Sequence, residues 1–218
     1  MNTTDFYKKF LQIFFFLPIT TFLPLLFATS FLGDFTIWLV TTIGILFHLF
    51  APYTPPEDLI KSKSLDKMST RLLLLVCCLI YMISIVEYVY VRQHPVSWSV
   101  LSWLGVAFAF LGLGLRLWAT KVLGVFFTAT IQLASDQPII DAGPYRYLRH
   151  PAYLSSMLTA LSIPLLFHSL FGLLFFFLGF LPAYLYRIHV EEIALIAQYG
   201  NRYVEKMSKS KRLIPFIY

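Results

Sequence analysis

The residues able to do chemistry gather in two places. GPYRYLRHPAY, from Gly143 to Tyr153, holds Tyr145, Tyr147, Tyr153, Arg146, Arg149 and His150 directly ahead of a long apolar run. Beyond that run, RIHVEEIAL brings Arg187, His189, Glu191 and Glu192. Arg187 and Glu191 are at i, i+4 and share one face of a helix. Guanidinium donors suit a carboxylate and aromatic faces suit a cation, so the two clusters together could hold a zwitterionic or carboxylated ligand. The plainer use of the same residues is anchoring, with Arg187 paired to Glu191 and snorkelling to a membrane surface.

Which of these applies depends on whether the intervening segment brings the clusters together. The chain has 218 residues, 58% hydrophobic and 13% charged, with mean hydropathy +0.73. That balance lies outside the range of soluble domains and predicts an integral membrane protein. Apolar runs lie at roughly 10–31, 35–51, 71–91, 97–118 and 152–186, the first four near the length one bilayer crossing needs. The last, about 35 residues, would make a helix of roughly 50 Å, too long for one crossing. Pro164 and the break HSLFG, His168 to Gly172, predict two short helices folded as a hairpin. Both ends of a hairpin emerge on one face, which makes RYLRHPAY and RIHVEE neighbours. The expected fold is all-α, with roughly five to six transmembrane helices, a C-terminal helical hairpin and a cytoplasmic amphipathic C-terminal helix after Arg187. Residues 1–118 would form the N-terminal transmembrane helices and 119–218 the functional core.

Charge supports this topology. Of the 17 Lys and Arg, only Arg92 falls in the short turns opposite the termini, so the termini and both clusters are expected in the cytoplasm. The net charge of +6 is then accounted for by topology and anionic lipid, and no nucleic-acid partner is expected. The first run, preceded by Lys8 and Lys9, reads as a retained signal-anchor helix. Cys77 and Cys78 are adjacent within a span and suit neither a mutual disulfide nor a metal site; no metal is expected. GLGL, Gly112 to Leu115, has no strand before it and reads as helix packing instead of nucleotide binding. His48, His94 and His168 are scattered singly, and Glu87 is expected to pair locally with Arg92. No serine has the setting of an acyl-transfer nucleophile.

The sequence LGVFFTATIQLASDQPIIDAGPYRYLRHPAYLS, followed by the apolar run and RIHVEEIALIAQYGNRYVEKMSKSKRLIPFIY, resembles the isoprenylcysteine carboxyl methyltransferase family. The family pattern is RHPxYxG, an apolar stretch, paired glutamates, an aromatic residue before glycine, and a final Leu-Pro region. The likeness covers roughly residues 116–218. It implies an S-adenosylmethionine-dependent methyltransferase embedded in the bilayer, acting on a lipid-like or prenylated substrate, most simply at a carboxylate. Carried over, Gln137, Pro138, Ile139 and Ile140 would give backbone contacts to the cofactor, with Gln132 a further contact. Tyr145, His150, Pro151, Ala152, Tyr153 and Glu191 would line it. Arg187 would be the substrate-side arginine, and the resemblance makes Arg187, Glu191 and Glu192 the catalytic set. Ser155 stands where the pattern has glycine, and the interval to Glu191 is shorter than in eukaryotic members.

A carboxylate acceptor needs no general base, whereas a phospholipid amine would need one, for which Glu192 and His189 are candidates. A phospholipid amine or thiol methyltransferase is therefore the nearest alternative. A sterol-reductase-like nicotinamide enzyme, with Lys121, Arg146 and Arg149 available to a phosphate, is a second; a scaffold or transporter subunit is the non-enzymatic one.

Overall fold

The computed structural model describes residues 13–14, 18–51, 66–127 and 138–213, and the regular structure among them is helical. Helix α1 runs Phe35–Leu49, opened by Asp34, whose carboxylate accepts the Thr36 N–H at 2.7 Å. Helix α2 runs Asp66–Val86 and continues in wider turns through Glu87–Arg92. Helix α3, Val100–Leu123, starts from a capping box formed by Ser99 and Ser102. Helix α4 is Pro151–Leu166, with proline at the first turn, where its missing N–H has no intrahelical partner to lose. Helix α5, Leu170–Tyr199, contains a wide-turned stretch at Phe176–Phe180, and α6 is Asn201–Lys209. From Ser69 to Arg92, and in α3 and α5, the helices are long and apolar enough to cross a membrane; α1 and α4 are apolar but shorter.

Several expectations change in detail. The part of the 10–31 run that is described does not form one helix: a short helical stretch, Pro18–Leu25, gives way to a turn and then to tighter turns over Thr29–Gly33. The hairpin between α4 and α5 is present, but its break is at Phe167–Ser169, where His168 takes φ 51°. Its ring Nε2 lies 2.8 Å from Ser102 Oγ and 3.2 Å from Ser99 Oγ, tying the turn to the start of α3. Pro164 stays inside α4. The second limb is not short: α5 continues past Arg187 to Tyr199, and the separate amphipathic helix is α6, beyond Gly200 at φ +56°. Glu87 is not a local partner of Arg92. Its carboxylate accepts the Ser169 hydroxyl and the N–H groups of Leu170 and Phe171, at 3.0 and 2.8 Å, and so satisfies the orphan donors at the start of α5.

Helices α3 and α4 form the most extensive helix pair. Gly112 makes this possible: a Cβ there would stand 2.9 Å from both Ser155 O and Thr159 N. Ser155 is fully buried at this contact and returns its hydroxyl to Ala152 O, so the residue standing for glycine preserves the close approach. Gly114 faces open space and has no such role. Ile37, Val40, Ile80, Ile85, Ile163, Leu166, Phe180 and Ile188 form the core between α1, α2, α4 and α5. At one end of the bundle lie the α4–α5 turn, Glu87 and the Ser99–Ser102 box. At the other, the end of α1, the start of α2, the end of α3, the start of α4 and the lower half of α5 converge, and the site is there.

Candidate active site

The approach to α4 is shaped by Gly143. It sits at φ +55°, and a Cβ would come 2.7 Å from Val122 Cγ2 and 3.0 Å from Trp118 Nε1, so this turn needs glycine on both counts. Pressed against α3, the turn Gly143–Arg146 buries Tyr145, while Arg146 and Tyr147 are exposed and lie outside the site.

Tyr153, on the first turn of α4, joins the two clusters. Its hydroxyl donates to Glu191 Oε2 at 2.5 Å and accepts from Arg187 Nε at 3.1 Å. Arg187 is buried, not snorkelling: its NH1 donates to Ser69 Oγ at 2.8 Å and Thr70 Oγ1 at 3.1 Å, both at the start of α2. The His150 ring stacks on Tyr153, centroids 5.6 Å apart, and Tyr184 of α5 meets Tyr153 edge-on at 5.8 Å. Tyr145, outside the spans, is held protonated by burial and, less strongly, by the Glu191 charge.

The second glutamate does something different. Glu192 Oε1 accepts from Arg149 Nε at 2.8 Å with His150 Nε2 at 3.3 Å, and its Oε2 accepts from Arg212 NH2 at 2.7 Å. Arg149 also donates to the carbonyls of Met207 and Ser210, closing the end of α6. The tail pairs its backbone with the loop: Arg149 N–H donates to Lys211 O at 2.7 Å, His150 N–H to Arg212 O at 3.2 Å, and Lys211 N–H to Tyr147 O at 3.0 Å. Lys206, on α6, donates to the carbonyls of Ile140 and Tyr145 and pairs with Asp141 at 3.6 Å. Its ammonium pKa is lowered by burial, against the opposing pull of Asp141.

Of the expected site residues, Tyr145, His150, Pro151, Ala152, Tyr153, Arg187, Glu191 and Glu192 meet around the start of α4. Ile140 offers its carbonyl to Lys206, and Pro138 and Ile139 precede it along the chain. Gln132 and Gln137 lie outside the described residues. His48 bonds Gly44 O within α1, and His189 is exposed. Among the described residues no three His, Cys, Asp or Glu side chains gather as a metal site.

Sequence reasoning missed Arg116. It lies on α3 facing the site, with NH1 donating to Ala152 O at 3.2 Å and its guanidinium over the rings of Phe47 and Phe127, 4.8 Å from each centroid. The available signal was a charge inside an apolar run, which in a membrane helix is a functional pointer.

Comparison with known families bears on the same segment. Residues 103–197 match the isoprenylcysteine carboxyl methyltransferase (ICMT) family. The match covers a little under half of the chain. The matched segment includes helices long and apolar enough to cross a bilayer. The uncharacterized protein YpbQ of Bacillus subtilis (strain 168) is similar, 32% identical over 92 residues, or 42% of this chain and 52% of the relative. The chain thus spans about half the length of that curated relative. The ICMT segment begins inside α3 and ends near the end of α5, so it takes in Arg116, Tyr145, Tyr153, Arg187 and Glu191 together.

Proposed function

We propose that the chain transfers a methyl group from S-adenosylmethionine to the carboxylate of a lipid-like or prenylated acceptor, at a site opening to the cytoplasm. The observation that carries this reading is the Tyr153 hydroxyl bridging Arg187 and Glu191 at the end of the bundle where the ICMT segment meets the tail. The donor set suits the cofactor: Glu191 offers a carboxylate to an ammonium, and the faces of Tyr145 and Tyr153 suit a sulfonium. Pro138 to Ile140 would lie along it, held by the contact of Lys206 with Ile140 O. S-adenosylmethionine would supply an electrophilic methyl on a cationic sulfur, and its transfer to a carboxylate oxygen would give an ester and a neutral thioether.

For such a reaction the chain needs to orient and desolvate its reactants, with no base required. That agrees with the state of Glu192, which is engaged by Arg149, His150 and Arg212, and with the exposure of His189. We assign Glu192 to holding the tail against the loop. Arg187, reaching α2, stands on the acceptor side and fixes Tyr153.

Calorimetric titration of the detergent-solubilised protein tests the reading. S-adenosylmethionine and its demethylated product should bind, reduced nicotinamide nucleotides should not, and Tyr153→Ala or Glu191→Ala should abolish sulfur-nucleotide binding. Binding of the nicotinamide alone would favour the reductase. Arg187→Ala should lower turnover far more than nucleotide affinity, because Tyr153 keeps its bond to Glu191; equal losses would move Arg187 to the cofactor.

A further inference from the structure

We infer that Arg116 is the receptor for a carboxylate entering this pocket. The inference rests on the methyltransferase reading, and no residue role given above requires it. Arg116 is 7% exposed, on a helix long and apolar enough to cross a membrane. An arginine there is unfavourable unless its charge and donors are matched. The two phenylalanine rings offset part of this as cation–π partners. Among the described residues its donors are not all matched: NH1 has the Ala152 carbonyl, while Nε is buried with no acceptor. Among the described residues its electrostatic neighbours are the phenols of Tyr184, Tyr145 and Tyr153 and the Cys77 thiol, groups that are ordinarily neutral at pH 7. The contrast with two other arginines is direct. Arg149 has Glu192, and Arg187 has Tyr153, Ser69 and Thr70.

What would complete Arg116 is a planar anion able to take two donors of a guanidinium fork, and a carboxylate is that group. Ala152, whose carbonyl it holds, is next to Tyr153, so such an anion would lie close to the Tyr153–Glu191 pair. Two sources are chemically equivalent here: the amino-acid carboxylate of the cofactor, and the carboxylate of the acceptor.

Two matched ligand pairs separate them. S-adenosylhomocysteine carries the amino-acid carboxylate and 5′-methylthioadenosine lacks it; N-acetyl-S-farnesylcysteine carries an acceptor carboxylate and its carboxamide does not. Affinities are measured for the full chain in detergent, wild type against Arg116→Gln. Loss of a charge-assisted contact weakens binding by about 10- to 100-fold. A loss of that size confined to the acid member of either pair supports the inference and names the source. Equal weakening of both members of each pair, or no change in any, overturns it. If Arg116→Gln no longer binds methylthioadenosine, the comparison is read on Arg116→Lys, which keeps the charge but not the fork. A wild-type protein that binds neither sulfur nucleotide sinks the donor reading alone, and the acid–amide pair then decides Arg116.

Discussion

At the scale of single residues, Glu191 and Glu192 are adjacent in sequence and differ in environment. A helix turns about 100° per residue, so the two carboxylates leave α5 in different directions. Glu191 meets the tyrosine hydroxyl at the site; Glu192 meets two arginines, one from the loop and one from the tail. Breaking a buried ion pair by removing one partner costs about 3–5 kcal/mol, because the remaining charge is stranded. Glu192→Gln should therefore lower the thermal midpoint clearly, by static light scattering or nanoscale fluorimetry in detergent, and expose the tail to carboxypeptidase. Glu205→Gln, which loses only the exposed partner Lys209, should leave both readings unchanged. If the two variants behaved alike, the Glu192 cluster would not be what holds the tail.

At the scale of helices, the α3–α4 contact predicts opposite outcomes for two glycines two residues apart. Gly112→Val places methyl groups against the backbone of α4, where even a Cβ is too close, and overpacking of this kind costs about 1–3 kcal/mol or more. Gly114→Ala meets nothing and should be neutral or slightly stabilising, through better helix propensity. Thermal midpoints of the two purified variants check this; a harmless Gly112→Val would mean that the helices do not pack here. The same pair shows how far the sequence could be read. It marks both glycines as packing residues, because small residues in apolar helices usually are, yet only a neighbour decides which face is used. The hairpin was legible from the length of the apolar run, and with it the meeting of the two clusters. The extent of α5 was not: hydropathy falls at Arg187, but backbone hydrogen bonds continue regardless of side-chain polarity, and the polar face is satisfied by Tyr153 and Arg149. Nor could Glu87 be matched to Ser169, since 82 residues separate them and Arg92 stood nearer in sequence.

At the scale of the whole molecule, the described helices give the bundle two unlike ends. One gathers Arg116, Lys121, Arg146, Arg149, Arg187 and the basic stretch from Arg202 to Arg212; the other has Arg92 as its described cation. Basic loops are retained in the cytoplasm during insertion, so the site end should face it and the Arg92 end should face outward. The sidedness matters for mechanism, because a water-soluble nucleotide would have to enter beside α6 and the tail, while an acceptor with a lipid chain could come sideways from the bilayer. Single-cysteine labelling decides it. With Cys77 and Cys78 replaced by alanine, Gln93→Cys should react with a membrane-impermeant maleimide in intact expressing cells, and Lys209→Cys only after permeabilisation. Both positions are exposed, so failure to label reports the membrane and not burial. The reverse pattern would put the site on the outer face, away from the cytoplasmic pool of the methyl donor, and the proposed chemistry would then fail on supply even if every residue in the pocket were correctly assigned.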